Sequence, residues 1–307
     1  MRLLRTPDER FSVLPGFDFE PHYLDVESGD GPTPIRVAFL DEGPASAPET
    51  IVLMHGEPSW SFLYRKMVAP LVAEGFRVIA PDLVGFGRSD KPAERGDYTY
   101  ARHVEWMRAT LFGELALSDI TLVGQDWGGL IGLRLVAEHP ERFRRVVAAN
   151  TGLPTGDTKV SDALLAWRQF SQDAPDLPVG KIVRGGCTAP VDDDVVAAYD
   201  APFPDASFKE GARQFPVLIP IRPDDPGAED NRRAWAVLER FDRPFLCAFS
   251  DRDPITQGAD RLFRERVPGA RGLNHPTITG AGHFLQEDRG GDLAAAIIGF
   301  VRSTATP

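Results

Sequence analysis

One stretch constrains this chain more than any other. Ile120 to Val123 is an apolar run that halts at Gly124, and Gln125-Asp126-Trp127-Gly128-Gly129 carries it into a second apolar run, Leu130 to Val136. A buried strand passing through a tight turn into a helix has this form. Glycines on both sides suit a turn whose backbone is strained and whose surroundings leave no room for side chains. Gly124-x-Asp126-x-Gly128 matches the nucleophile-elbow spacing, with a carboxylate where serine is usual. Such an elbow lifts the Asp126 side chain clear of the sheet and sets its backbone at a helix N-terminus, where negative charge is favoured. An ordinary strand-to-helix turn with Asp126 as N-cap fits the stretch equally well. The rest of the chain decides.

Strand-like and helix-like segments alternate before and just after the elbow. His22 to Val26 and Ile35 to Leu40, split by the turn-rich Glu27 to Pro32, read as an antiparallel hairpin at a sheet edge. Thr50 to Met54 is a short apolar strand ending in His55-Gly56-Glu57-Pro58, and Phe76 to Ala80 is another. Helix-like runs follow them at Phe62 to Glu74 and from about Tyr100 to Leu115, and the strand Arg145 to Ala149 comes after the elbow helix. This alternation predicts an α/β fold with a mostly parallel central sheet covered on both faces. In such sheets the chemistry gathers at the carboxyl ends of the strands.

The pattern breaks after Asn150. Residues 151–230 hold helix-compatible stretches joined by Pro- and Gly-bearing segments, and read as an inserted helical cap. Residues 1–150 and 231–307 then form the core domain, with strands resuming at Pro244 to Phe249 and Asn274 to Thr279. With 307 residues, 42% of them hydrophobic, the chain can bury one large core. The net charge of −11 and the lack of a basic stripe argue against nucleic acid and membrane surfaces as partners. No apolar run approaches the roughly 20 residues that cross a bilayer, and the N-terminus has no signal-peptide core. Cys187 and Cys247 lie far apart and suggest neither a disulfide framework nor a metal site. The expectation is a monomeric, cytoplasmic enzyme without metal or cofactor.

Four loops at strand ends carry polar chemistry: His55-Gly56-Glu57-Pro58, Gln125-Asp126-Trp127, Asp251-Arg252-Asp253 and Gly282-His283. The order nucleophile, acid, histidine is that of an α/β-hydrolase. Over essentially its whole length the chain resembles the haloalkane dehalogenases, and among them the subfamily with a His-Gly-Glu-Pro loop. The resemblance rests on His55 to Trp60, Gly85 to Asp90, Gly124 to Gly129, Asp253 and Gly282-His283, and in the cap on Ala166-Trp167 and Ala201 to Asp205. It implies hydrolysis of a small halogenated hydrocarbon to a primary alcohol, halide ion and proton. Epoxide hydrolases share the aspartate nucleophile and are the alternative. They need a cap hydroxyl, usually from paired tyrosines, and only Tyr199 of the five falls in the cap.

The residue chemistry agrees. A carboxylate is ionised at neutral pH, so Asp126 needs no base to displace a leaving group and form an alkyl ester. His283 can activate the water that hydrolyses it, and Asp253 can hold the imidazole in the right tautomer. The backbone N–H groups of Glu57 and Trp127 are expected to meet the oxyanion. The departing halide needs donors, and an indole N–H is donor-only. Trp127 is one candidate. Related subfamilies place Asn as second donor where this chain has Glu57, whose side chain cannot serve an anion unless protonated. Trp167 in the cap matches the family pattern for the second donor. Asp251 reads as a solvated loop residue, Asp82 and Asp90 as turn and capping carboxylates, and the other histidines as structural or exposed. Phe170 and Phe215 are expected to line a small apolar pocket.

Overall fold

The computed structural model describes residues 1–305. Its main sheet has seven strands: β1 (His22–Val26), β2 (Ile35–Glu42), β3 (Thr50–Met54), β4 (Arg77–Pro81), β5 (Ile120–Gln125), β6 (Phe143–Ala149) and β7 (Phe245–Cys247). Their spatial order is β1-β2-β4-β3-β5-β6-β7. The hairpin β1–β2 is antiparallel with His22 opposite Phe39, and β2 also runs antiparallel to β4. From β4 through β7 every neighbour is parallel. The six residues of β5 are all buried, Thr121 and Gln125 included, as a central parallel strand requires, which explains a mainly apolar run in place of regular alternation. Two short segments, β8 (Phe249–Ser250) and β9 (Thr277–Ile278), pair in parallel beyond β7. The last strand is shorter than the expected 274–279. Pro276 has no N–H to give a ladder, and His275 turns its ring to the backbone, accepting from Cys247 N and facing Ala270 O.

Helices pack in two groups. One consists of α1 (Arg65–Ala73) and the C-terminal α10 (Leu285–Ser303); the other joins α2 (Tyr100–Arg108), α3 (Trp127–Glu138) and α8 (Ala228–Leu238). Between β6 and α8 lie α4 (Asp162–Asp173), α5 (Val179–Gly185), α6 (Asp193–Asp200) and α7 (Glu210–Leu218). Within this insertion α4 packs on α7 and α5 on α6. The boundary expected near residue 230 falls inside α8, whose buried Asn231 bonds Pro154 O and Arg134 of α3. Helix α9 (Ala259–Arg266) leans on β7. Among the described residues no helix is long and apolar enough to cross a membrane.

Candidate active site

The elbow explains why the glycines stand where they do. Asp126 has φ 49° and ψ −125°, a conformation strained for any residue with a side chain. A Cβ on Gly128 would sit 2.0 Å from Met54 O, so nothing larger than glycine lets α3 start against β3. Thr151 Oγ1 donates to Asp126 O at 2.7 Å, and Asp126 N to Asn150 O at 3.0 Å, which clamps the turn from the end of β6.

The two carboxylate oxygens of Asp126 face different partners. Oδ1 accepts the backbone N–H of Glu57 at 2.9 Å. Oδ2 lies 3.6 Å from Nε2 of His283. The other ring nitrogen, Nδ1, is 3.1 Å from Oδ2 of Asp253. Asp253 is buried and also accepts from Ile255 N at 2.9 Å and from the Thr256 hydroxyl. Asp126, His283 and Asp253 are therefore brought together, although 157 and 30 residues separate neighbours in that series along the chain. Asp251 takes a different place: its Oδ1 accepts Gly280 N at 2.8 Å and Ala281 N at 3.3 Å, bracing the loop that carries His283.

Electrostatics follow from burial and neighbours. Burial works against a charge on Asp253, yet the His283 charge and the hydrogen bonds more than offset it and hold the carboxyl below its usual range. Burial likewise opposes an imidazolium at His283, but the Asp253 charge and the contact with Asp126 outweigh it and raise the pKa. Gln125 works the other way. Its amide nitrogen donates to His283 O at 3.2 Å and sits 3.2 Å from Nε2, an arrangement that suits the neutral ring. Burial and the Asp126 charge push the Glu57 carboxyl well above the usual carboxylate value.

A cavity of about 390 Å³ opens over Asp126. Glu57, Trp127 and His283 form its floor, and Leu164, Trp167, Ile182, Pro216 and Ile219 line it from the insertion. Ser161 caps α4 by accepting Leu164 N at 3.1 Å, which fixes the helix that presents Leu164 and Trp167. The indole N–H of Trp167 does not stand free; it donates to Oε2 of Glu57 at 3.1 Å. Trp127 Nε1 is buried without a partner. Phe215 lies behind Trp127 rather than in the cavity wall, 4.7 Å away ring to ring, and Phe170 is 44% exposed on the outer side of α4. The expectation for those two phenylalanines is corrected: periodicity gives a helix an apolar face without saying which neighbour that face meets.

Other expected roles fall as follows. Asp82 accepts Ser61 N and Arg88 N, both at 2.8 Å, and Asp90 pairs with Arg5 at 2.7 Å. His55 is buried, with Nε2 accepting Leu83 N at 2.9 Å and Nδ1 facing Gly56 O. Tyr199 is buried and donates to Glu287 Oε2 at 2.7 Å, outside the cavity lining. Among the described residues no trio of His, Cys, Asp or Glu is placed to hold a metal. Sequence reasoning missed Gln125 and Asn150. Asn150 Nδ2 reaches Ser250 Oγ, Gly282 O and His283 O, and its Oδ1 accepts Ser250 N, so one side chain ties the end of β6 to both later site loops. The available signal was a polar residue at the carboxyl end of an apolar strand, where alternation stops.

The α/β hydrolase fold family matches residues 49–289. A haloalkane dehalogenase of Psychrobacter cryohalolentis is 54% identical over 301 residues, spanning 98% of each chain. One from Mycobacterium marinum is 52% identical, covering 97% of this chain and 99% of that one. Among solved structures, the tetrameric haloalkane dehalogenase DpaA from Paraglaciecola agarilytica NO2 superposes with a TM-score of 0.89 at 36% identity, covering 96% of this chain and 97% of the other.

Proposed function

Since this chain belongs to the haloalkane dehalogenases, a family of the α/β-hydrolase fold, we propose that it hydrolyses small haloalkanes through an ester on Asp126, and that residues 151–230 act as the cap closing its site. Oδ2 of Asp126 attacks the carbon, and the carbon–halogen bond breaks with its electron pair leaving on the halide. His283 then takes a proton from water, and the hydroxide so formed adds to the ester carbonyl. The oxyanion develops on the oxygen already held by Glu57 N–H, with Trp127 N–H as second donor. Collapse releases the alcohol and restores the carboxylate. Trp127, with its indole N–H, and Trp167 attend the halide; a lost donor of this kind typically costs about 2.7–4 kcal/mol in the transition state.

The observation that carries the reading is the division of labour between the Asp126 oxygens: one sits on a backbone N–H at 2.9 Å, the other is left towards His283 at 3.6 Å and the cavity. A carboxylate serving only as an N-cap would turn its oxygens to its own helix. The epoxide alternative needs a hydroxyl in the cavity, and Tyr199 is engaged with Glu287 instead.

The test is to trap the ester. Replacing His283 with Phe should leave halide departure intact, because that step moves no proton, and stop hydrolysis. Single-turnover assays should then show a burst of about one halide per enzyme, with an alkyl adduct on the peptide bearing Asp126 by mass spectrometry. A burst with no adduct would rule out the covalent route.

A further inference from the structure

His283 is held by its backbone as well as its ring, and part of that hold comes from the insertion. Its N–H donates at 2.8 Å to the carbonyl of Gly186, in the turn that follows α5. One residue earlier, Gly282 N donates to Oδ2 of Asp288 at 2.8 Å. The same carboxylate collects two amides of the insertion turn. Thr188 N lies 2.9 Å from Oδ2 and 3.0 Å from Oδ1, and Ala189 N is 2.8 Å from Oδ1. The Thr188 hydroxyl donates to Gly280 O at 2.6 Å. With Gly280 N and Ala281 N on Asp251, every amide from Gly280 to His283 has a partner. Asp251 braces the loop from the side of β8, whereas Asp288 and Gly186 join it to the insertion.

The two turns meet at backbone distance. A Cβ on Gly282 would lie 2.3 Å from Gly186 O, and one on Gly186 would lie 2.7 Å from the Phe284 ring. Gly186, Cys187 and Thr188 line the cavity beside Gly282 and His283. Asp288 stands in the first turn of α10, where negative charge is favoured, and an ionised carboxylate makes the stronger kind of bond to backbone N–H groups. It has no place in the cavity lining, so whatever it does for the reaction passes through His283.

We propose that Asp288 is a positioning residue for the base. It clasps the insertion turn 186–189 to the loop of His283, so that the insertion, through Gly186 O, sets where the imidazole stands relative to Asp126 and Asp253. The proposal rests on the reading of this site as a dehalogenase with His283 as base. Its consequence is selective. Halide departure is carried by Asp126 and moves no proton, so a slack clasp leaves that step alone. Hydrolysis needs the ring within reach of a water aimed at the ester carbonyl, and a misplacement of about 1 Å at such a group can cost about a hundredfold.

Rapid mixing with bromobutane, following bromide release and alcohol formation separately, tests this. Asp288→Ala should release about one bromide per folded enzyme at a rate within about twofold of wild type, yet hydrolyse the ester roughly ten- to a hundredfold more slowly. Asp288→Asn keeps the shape and one acceptor oxygen, so it should show a smaller version of the same split and serves if the alanine variant folds poorly. Thr188→Val removes only the hydroxyl bond to Gly280. It should slow hydrolysis modestly by itself and add little to Asp288→Ala, because both changes loosen one clasp. The nitrogen NMR signals of the His283 ring should move in Asp288→Ala, a readout that needs no turnover. A residue that merely supports the fold would lower the amount of bromide released and leave the ratio of the two rates as it was. An unchanged ratio in both Asp288 variants, additive effects of Thr188→Val and Asp288→Ala, or a His283 spectrum identical to wild type would each overturn the proposal. If wild-type enzyme released no bromide while the ring signals still moved, the dehalogenase reading would fall and the clasp would stand.

Discussion

At the scale of single residues, His283 has to be a base in a site that favours its acid form. Burial opposes the imidazolium, but the Asp253 charge and the Asp126 contact push its pKa up to about 10. Alkylation turns Asp126 into a neutral ester, so one of the two carboxylates holding the proton disappears when the base is needed. Asp126→Asn imitates that loss of charge, and the His283 pKa, followed by nitrogen NMR, should drop by roughly 1–3 pH units. An unchanged titration would mean that Asp126 does not control the base. The sign for stability is set by the same shift. A histidine with a folded pKa above its unfolded value of about 6.5 adds stability that is complete below that value and is lost as pH rises through the folded one. That Asp126, Asp253, His283 and Glu57 lie together was legible, because chain order and strand ends locate them. Gln125 and Asn150 were not, since they act on the carbonyl of His283, more than 130 residues away, and no local pattern encodes such a partner.

At the scale of elements, the site is held from behind by a buried ion cluster on α10. Glu287 takes both guanidinium nitrogens of Arg65 at 2.6 and 2.7 Å, Lys66 at 2.8 Å and the Tyr199 hydroxyl at 2.7 Å. This one carboxylate joins the start of α1, the helix α6 of the insertion and the first turn after His283. Burial would raise its pKa, but the Arg65, Lys66 and Tyr199 contacts reverse that and bring it to about 2. A depressed carboxylate adds stability above its unfolded pKa, near 4.5, and loses it as pH falls towards 2. Glu287→Ala leaves the Arg65 guanidinium buried and unpaired, and should destabilise the protein by about 3–5 kcal/mol in urea unfolding at neutral pH. The difference from wild type should shrink at acid pH; a constant difference would mean that packing, not charge, was lost. The sequence made α1 visible as the helix-like run Phe62 to Glu74, but the C-terminal α10 was not among the segments read from it. It did not show Arg65 and Glu287 as partners, because each reads alone as a solvated charge.

At the scale of the whole molecule, the first residues of the chain fasten the insertion to the core. Thr6 donates to Pro202 O at 2.6 Å, and Arg10 to Ala201 O at 3.2 Å. Phe11 and Phe17 pack edge-on against Trp60 at 5.5 and 5.3 Å, in the loop that follows β3. Removing residues 1–19 exposes both phenylalanine sites, each worth about 1.5–3 kcal/mol of burial. Calorimetry should show a lower unfolding temperature, and limited proteolysis should cut first within 151–230. A truncated protein as stable as the full chain would show that the contact is incidental. The sheet domain was readable because alternating strands and helices admit few topologies. The insertion was readable only as helices, and its seating depends on side-chain contacts with an N-terminal segment that has no periodic signal.

The strained backbone at Asp126 sets natural selection against heat resistance. Glycine at that position would relax a conformation that costs of order 1–3 kcal/mol with a side chain in place, and would take a charge out of a confined site. Variants chosen for survival on heating alone would therefore be drawn towards loss of the nucleophile. A breeding scheme for a hardier enzyme must score turnover in every round, or its winners will be well-folded proteins that no longer break carbon–halogen bonds.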